Sequence, residues 1–471
     1  MSHVFYRKLD ATPPKIVRGQ GVYLYDDSGK RYLDGCGGAM VASIGHGNAA
    51  VADAIAAQAR AIAYVNGTAF TTGPVEELAD ALAAKAPGGV DKAYFLSSGS
   101  EAVEAALKLA RQHHVERGEP DRRFIIAQTP GYHGNTLLAL SASARPHYRA
   151  VYSPWLVDVK MIDAPYPYRA ESENAPAMTG DALETAIQEV GPENVAAFIA
   201  EPIGGSSTGA SVPLPGYYAR IREICDRYGV LFIADEVLTG AGRTGKFFAL
   251  EHFSDRAGAA VVPDIITLGK GLNGGYAPLS AMLAKRSIVD AVARGPFRGL
   301  VHAQTYSHHA LGSAAALATV RYIAEHDLVA RAGTLGVYLR QALKAMADAG
   351  PRAEIIGDTR GIGLLAAVEF VADRASKRPF PRAQKVAERV VARGREHGIV
   401  LWPNVGHADG TNGDLVMIAP PLTIAENEID ELAGALARAL DDVATSILKE
   451  QPQDGVLGER ATTSVKREVT T

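Results

Sequence analysis

Short apolar runs alternate with longer amphipathic stretches through the first two thirds of the chain. Each run is nearly continuous in apolar residues, which is typical of strands in a parallel sheet that is buried on both faces. The segments between the runs have the pattern of helices or loops. We therefore predict an α/β fold with a mostly parallel central sheet. The runs are KAYFLS, RFIIAQ, VAAFIAEP, VLFIADE and DIITLG.

The pattern changes near residue 325, where a long helical stretch is followed by two amphipathic helices and by three predicted strands, RGIGLLAAVEF, IVLWP and LVMIAP. This change predicts a large domain over 66–325 and a smaller α/β domain over 326–448. Residues 1–65, which include a predicted β-hairpin, are expected to contribute to the small domain. The tail, 449–471, is polar with few large apolar residues, and we predict that it is disordered.

Composition narrows the class of protein. The 471 residues are 47% hydrophobic with a formal charge of −4, so neither nucleic acid nor an anionic membrane is an expected partner. No apolar run is long enough for a membrane span, and the first residues lack the apolar core of a signal peptide. The two cysteines, Cys36 and Cys225, are far apart, which fits a reducing cytoplasm. The paired histidines lack metal-site spacing, so no metal is expected.

The segment SSGSEA joins the end of a predicted strand to the start of a predicted helix. A Ser-Gly-Ser turn at a helix N-terminus offers free amides, hydroxyls and the positive end of the helix dipole, which suit a phosphate. Alternatively, Ser98 or Ser100 serves only as the helix cap. The segment matches neither the Walker A nor the dinucleotide-binding pattern.

Two further polar residues stand at strand ends. Asp235 ends the run VLFIAD, and Lys270 follows the run DIITLG between two glycines. Ligands of open α/β sheets bind beyond the carboxyl ends of the strands, so both side chains can face one crevice. Alone, Asp235 could be a helix cap, a metal ligand or the partner of a cationic heterocycle. Lys270 could be a surface charge, a phosphate ligand or an amine nucleophile. Together with a phosphate seat, they describe a pyridoxal 5′-phosphate (PLP) site.

The motifs along the chain resemble those of class III aminotransferases, the ω-amine group of fold-type-I PLP enzymes. The resemblance covers about 15–447, and the motifs appear in family order. They are SSGSEA, GYHGNT, AEPIGG, ADEVLTGAGRTG, ITLGKGLNGGYAPLSA and HAQTYSHHALGSAAALA. The resemblance implies a large PLP-binding domain, a smaller α/β domain, and a homodimer, or a tetramer, to whose interface 1–65 contributes.

The same resemblance implies roles by position. Lys270 is the lysine that forms the Schiff base with PLP and that carries the substrate proton. Asp235 pairs with the pyridine nitrogen, and Ser98, Gly99 and Ser100 hold the phosphate.

Further positions are implied to surround the cofactor ring. Tyr132 stacks on one face and Val237 packs on the other. Glu201 lies near the ring hydroxyl, and Thr305 reaches the phosphate of the neighbouring subunit. His133 either contacts the cofactor or only supports Tyr132.

Departures from the family pattern bear on the substrate. Enzymes of this class that use 2-oxoglutarate often pair an arginine with a glutamate, and Met417 and Ser206 stand at those positions. Leu238 follows DEV, where pyruvate-dependent members carry an apolar residue. Met40 stands where several members carry tryptophan, which predicts a roomier pocket. Arg298 is the nearest arginine in sequence to an active-site segment and is a candidate carboxylate ligand, with a solvated loop charge as the alternative.

We therefore expect a PLP-dependent aminotransferase that moves an amino group from an ω-amine or amino acid to a small keto acid, favouring pyruvate. A 2-oxoglutarate-dependent enzyme is one alternative, and a PLP racemase or aminomutase is another. A non-catalytic binding protein of the same fold is disfavoured, because such a protein would have lost Lys270 or Asp235.

Overall fold

The computed structural model describes residues 3–450. Helices and strands alternate through the middle of the chain, as the apolar pattern predicts. The strands are β1 Ile16–Gln20, β2 Tyr23–Asp26, β3 Arg31–Asp34, β4 Lys92–Leu96, β5 Phe124–Thr129, β6 Lys160–Asp163, β7 Val195–Ala200, β8 Leu231–Asp235, β9 Ile265–Leu268, β10 Ser280–Ala284, β11 Ile356–Ile362, β12 Leu365–Phe370, β13 Ile399–Val400, β14 Trp402–Val405 and β15 Asp414–Ile418.

The helices range from single turns to 25 residues. They are α1 Gly37–Met40, α2 Ala49–Ala61, α3 Gly73–Ala83, α4 Gly99–Glu116, α5 Leu137–Ala142, α6 Pro146–Tyr152, α7 Pro176–Thr179, α8 Asp181–Val190, α9 Tyr217–Tyr228, α10 Arg286–Arg294, α11 Ala310–Glu325, α12 Leu328–Ala347, α13 Val386–Glu396 and α14 Glu426–Glu450.

The central sheet has seven strands in the order β4-β10-β9-β8-β7-β5-β6. Strands β9, β8, β7, β5 and β6 pair in parallel, whereas β10 is antiparallel to both β4 and β9. The predicted α/β fold with a mostly parallel central sheet is therefore confirmed. The register places Asp235 beside Thr267, so the carboxyl ends of β8 and β9 meet at one edge of the sheet.

Both faces of this sheet are covered, which explains the continuous apolar runs. Phe198 and Phe232 pack into the cluster that contains α8 and α9. Their chain neighbours Ile199 and Ile233 pack into the cluster built around α4 on the opposite face. Because successive strand residues point to opposite faces, a sheet buried on both sides needs apolar residues at every position.

Two four-stranded sheets lie outside the central one. The first has the order β11-β12-β15-β14 and is antiparallel throughout. The second has the order β1-β2-β3-β13, in which the antiparallel pair β2 and β3 forms the predicted hairpin. Strand β13 joins it in parallel with β3, so the N-terminal segment and the C-terminal part of the chain share a sheet.

Two predicted strands differ from the structure. RGIGLLAAVEF forms a hairpin rather than one strand, because Gly363 takes the left-handed conformation, with φ of +55°, between β11 and β12. IVLWP is divided at the buried Leu401. The residues before Leu401 pair with β3, and those after it pair with β15.

Helix α14 continues to Glu450, so the first two residues of the predicted polar tail are helical. The rest of that tail, 451–471, lies outside the described residues. Within 3–450, no helix combines the length and the apolar character that crossing a membrane requires.

Candidate active site

A cavity at the carboxyl edge of the central sheet brings together most of the residues that the motifs single out. Its lining consists of Gly99, Ser100, Tyr132, His133, Gly134, Glu201, Ser206, Asp235, Val237, Leu238 and Lys270. A roomier apolar cavity lies elsewhere, between α4 and the loop that carries Phe297, and contains none of these residues. We therefore take the cavity around Lys270 as the candidate active site.

Asp235, the last residue of β8, is 4% exposed and is oriented by three contacts. Its Oδ1 accepts hydrogen bonds from the Val237 amide at 3.1 Å and from the Thr267 hydroxyl at 3.0 Å. Its Oδ2 lies 2.7 Å from Nδ1 of His133. Such contacts fix the carboxylate in one orientation, as a partner of a cationic ring nitrogen requires.

His133 contacts Asp235, while its contact with the cofactor stays a prediction. This residue is 3% exposed and bonds the carboxylate rather than the Tyr132 hydroxyl. Its Nε2 is buried and has no hydrogen-bond partner among the described residues. His133 is therefore placed to position Asp235.

Lys270 begins the 3₁₀ turn that follows β9 and has a positive φ of +42°. Burial lowers the pKa of its amine, and the charge of Arg145 acts in the same direction, whereas Glu201 and Asp235 oppose the shift. A lower pKa increases the neutral fraction of the amine, and the neutral amine is the nucleophilic form.

The first turn of α4 forms another part of the wall. The Ser98 hydroxyl accepts from the Glu101 amide, while the Glu101 carboxylate accepts from the amides of Ser97 and Ser98. The Ser98 side chain is thus occupied as the helix cap. The amides of Gly99 and Ser100, like all first-turn amides, have no partner within the helix and are left for an anion.

Gly99 is required by the contact between this turn and the opposite side of the cavity. A Cβ atom on Gly99 would lie 2.7 Å from Cγ1 of Val237, which is closer than carbon atoms approach. Because of the glycine, α4 approaches Val237 closely, and both residues line the cavity.

Glu201 connects three parts of the wall. Its carboxylate accepts from the Tyr132 amide at 3.2 Å, the Gly205 amide at 3.0 Å and the Ser207 hydroxyl at 2.7 Å. The Tyr132 hydroxyl accepts from the Asn135 side chain at 3.1 Å, and burial raises the pKa of Tyr132. These contacts hold an aromatic ring and a carboxylate at the cavity, as the motifs predict.

Three predicted residues lie away from this cavity in the described chain. Met40 is 2% exposed and packs in the apolar core. Arg298 is exposed and lines a different cavity, next to β4 and β10. Thr305 is also exposed, so its contact with a neighbouring subunit's cofactor stays a prediction.

The residues at which the chain departs from the family pattern also fall into two groups, inside and outside the cavity. Ser206 and Leu238 line the cavity, and their effect on the substrate stays a prediction. Met417 is fully buried in β15, where it pairs with Ala367 of β12.

Arg145 is buried next to Tyr132 and Ser206 and was not predicted from the sequence. It stands in SASARPHYR, outside every motif, and only its long-range contacts reveal it. Its guanidinium bonds Ser206, 61 residues later, and Asn404, 259 residues later.

The side chains present fit PLP. They supply an amine of lowered pKa, an oriented carboxylate, an aromatic residue and an apolar residue that line the same cavity, and a helix N-terminus with free amides. A group of three or more potential metal ligands does not occur within 3–450.

Known proteins resemble this chain in sequence and in fold. The family described as Aminotransferase class-III matches residues 5–440. The putrescine–pyruvate aminotransferase of Pseudomonas aeruginosa is 32% identical over 460 residues, 94% of each protein. The diaminobutyrate–2-oxoglutarate transaminase of Halomonas elongata is 33% identical over 453 residues, 94% of this chain and 93% of that protein.

The solved structure of the ω-transaminase from Pseudomonas jessenii in complex with PMP has the same fold. It is 31% identical, with a TM-score of 0.86 over 95% of this chain and 97% of that one. The family match across most of the chain, the shared fold and the cavity around Lys270 agree. The chain belongs to the class III aminotransferases, fold-type-I enzymes that use pyridoxal 5′-phosphate.

Proposed function

We propose that this class III aminotransferase moves an amino group from an ω-amine or amino acid to a small keto acid, and that it prefers pyruvate to 2-oxoglutarate. The observation that carries the preference is the wall of the cavity. Ser206 and Leu238 line it, and Met417 is buried in β15. The glutamate and arginine with which 2-oxoglutarate-dependent members grip a carboxylate are thus both replaced.

Each residue at the cavity has a role in this proposal. Bound PLP supplies a ring that accepts the electron pair of a breaking C–H bond. Asp235 holds a proton at the ring nitrogen, and His133 orients Asp235. The Lys270 amine takes the substrate proton and returns it, for which a lowered pKa is suited.

The phosphate and the ring faces complete the proposed assignment. Gly99 and Ser100 bind the phosphate through the α4 amides, and Tyr132 and Val237 enclose the ring. A homodimer is part of the proposal, because Thr305 is exposed in the single chain and would meet the site of a neighbouring subunit.

The acceptor preference is tested by measuring kcat/KM for pyruvate and for 2-oxoglutarate with one shared amine. We expect a ratio of at least about tenfold in favour of pyruvate. A second buried carboxylate without a cationic partner is strongly disfavoured, and about 1.4 kcal/mol already gives a factor of ten. Faster turnover with 2-oxoglutarate would contradict the proposal and support the alternative of a 2-oxoglutarate-dependent enzyme.

The same protein separates aminotransfer from racemisation or amino migration. Incubated with amine alone, an aminotransferase stops after one equivalent of amine per site, and it resumes when the keto acid is added. A racemase or aminomutase turns over continuously without any keto acid, and that result would contradict the assignment of aminotransfer.

A further inference from the structure

Arg145 contacts two residues that line the cavity, Tyr132 and Ser206, from behind the cavity wall. It precedes α6, and the Ala144 amide donates to the Gly131 carbonyl at 2.9 Å. The Arg149 guanidinium donates to the carbonyls of Leu140, Ser141 and Ser143 at 3.2, 2.6 and 2.9 Å. The backbone that carries Arg145 is therefore fixed beside Gly131 and Tyr132.

The guanidinium of Arg145 is buried, with 8% of the residue exposed. Its Nη1 donates to the Asn404 side-chain oxygen, and its Nη2 donates to the Ser206 hydroxyl at 3.3 Å. That second bond is long, since N–H···O bonds are commonly about 2.9–3.0 Å. Its Nε is buried without a hydrogen-bond partner among the described residues.

Two other buried arginines of the described chain, Arg360 and Arg169, both contact the Glu369 carboxylate. Arg243 also leaves one nitrogen, Nη2, without a partner among the described residues, but its Nη1 donates to the carbonyls of Leu364 and Pro420. Within 3–450, the side-chain hydrogen bonds of Arg145 go to the neutral groups of Asn404 and Ser206, although an unpaired buried charge is costly.

The unsatisfied edge of Arg145 has the geometry of a carboxylate receptor. Nε and Nη2 form one side of the planar guanidinium, and that side can donate two parallel hydrogen bonds to a carboxylate. Nε has no partner among the described residues, and the Nη2 bond to Ser206 is weaker than the Nη1 bond to Asn404. Ser206 and Tyr132, which flank the guanidinium, both line the cavity that contains Lys270.

We propose that Arg145, supported by Asn404 and Ser206, binds the carboxylate of the amino acid or keto acid substrate. This rests on the proposed aminotransferase function and specifies its substrate subsite. Because a single guanidinium edge accommodates one carboxylate, the subsite matches a monocarboxylate such as pyruvate. Arg145 replaces Arg298 in that role, since Arg298 lines another cavity.

The first test is a binding measurement on PLP-loaded enzyme, with propionate as an unreactive carboxylate followed by calorimetry. We expect Arg145→Met to weaken propionate binding about 10- to 100-fold, the range for a hydrogen-bonded charged pair. Arg145→Lys keeps the charge and loses the planar fork, so its loss should be intermediate. The matched control is Arg256→Met, because the Arg256 side chain is 81% exposed and forms an ion pair with Glu223 on the surface.

The second test is kinetic and uses alanine and isopropylamine, which differ by a carboxylate in place of a methyl group. Arg145→Met should raise KM for alanine and pyruvate at least about tenfold while changing the isopropylamine half-reaction by less than about threefold. If Arg145→Met does not fold, Arg145→Lys should show the same difference between the alanine and isopropylamine reactions, but a smaller one. A parent enzyme that fails to bind propionate, or equal losses with both amines, would overturn the proposal.

The failure of the subsite is distinguishable from the failure of the proposed function. If the parent enzyme converts isopropylamine and Arg145→Met does not weaken carboxylate binding, aminotransfer stands and only the proposed role of Arg145 is contradicted. A parent enzyme inactive in both amine half-reactions contradicts aminotransfer itself.

Discussion

The contact between His133 and Asp235 leads to a prediction about the negative charge that is proposed to keep the cofactor's ring nitrogen protonated. Asp235→Asn removes a negative charge but keeps an oxygen that can accept from the Val237 amide and the Thr267 hydroxyl. We therefore expect a folded protein whose amine half-reaction is slower by about 100-fold or more, because losing a buried charge partner costs several kcal/mol. Stopped-flow absorbance of the bound cofactor measures this rate.

The comparison variant is His133→Ala, which leaves the Asp235 charge in place and should lose less of this rate. Near-normal rates in Asp235→Asn would show that Asp235 does not face the ring.

The close approach of helix α4 to Val237 makes a second prediction, which concerns cofactor affinity. In Gly99→Ala the new Cβ would meet Cγ1 of Val237 at 2.7 Å, so the helix or the valine must move. A shift of the helix would displace the first-turn amides that are proposed to bind the phosphate, and a shift of Val237 would displace a residue proposed to pack on the ring, so we expect PLP to bind about tenfold more weakly. Equilibrium dialysis of PLP gives this affinity, and the melting temperature of the cofactor-free protein checks the fold. Val237→Ala in the same chain creates room for the methyl group and should restore part of the affinity. Additive losses in the double variant would mean that the two residues do not compete for space.

A buried ion network between the sheets predicts how stability depends on pH. Glu369 on β12 is fully buried, and its carboxylate contacts Arg169 and Tyr166 as well as Arg360 on β11. Burial alone would raise the pKa of Glu369, but His407, Arg360 and Arg169 together hold it well below its usual range.

A carboxyl with a depressed pKa stabilises the fold fully above its unfolded pKa, near 4.3, and loses that contribution as the pH falls. At pH 7 we expect Glu369→Gln to be about 3–5 kcal/mol less stable than the parent, since a broken buried pair leaves unpaired charges.

Urea unfolding at pH 7, 5.5 and 4 measures the difference between the parent and Glu369→Gln. The difference should be constant from pH 7 to about 5.5 and should shrink below about 4.5, where the Glu369 carboxyl of the unfolded parent begins to take up protons while that of the folded parent stays ionised. The exposed pair of Arg321 and Glu77 provides the control. Glu77→Gln should change stability by less than about 1 kcal/mol, because exposed pairs contribute little. A gap between parent and Glu369→Gln that widens with acid would contradict the depressed pKa.

The positions of Asp235, Lys270 and the α4 turn follow from the sequence, because strand ends and helix N-termini have short-range patterns. An apolar run that ends at Asp235 or before Lys270 marks the sheet edge, and all parallel strands present their carboxyl ends there. The hairpin at Gly363 and the division at Leu401 were missed, since pairing partners rather than local pattern decide where a strand ends.

The substrate side of the cavity depends on the tertiary structure. The sequence determined that the chain has a double-covered parallel sheet and a lysine and an aspartate at its edge. Only folding placed Arg145 between Ser206 and Asn404, which are 61 and 259 residues away along the chain. Proximity in sequence instead favoured Arg298, which the structure places at another cavity. The physical reason is that an unpaired buried charge is a property of the three-dimensional environment, and no local pattern of residues encodes that environment.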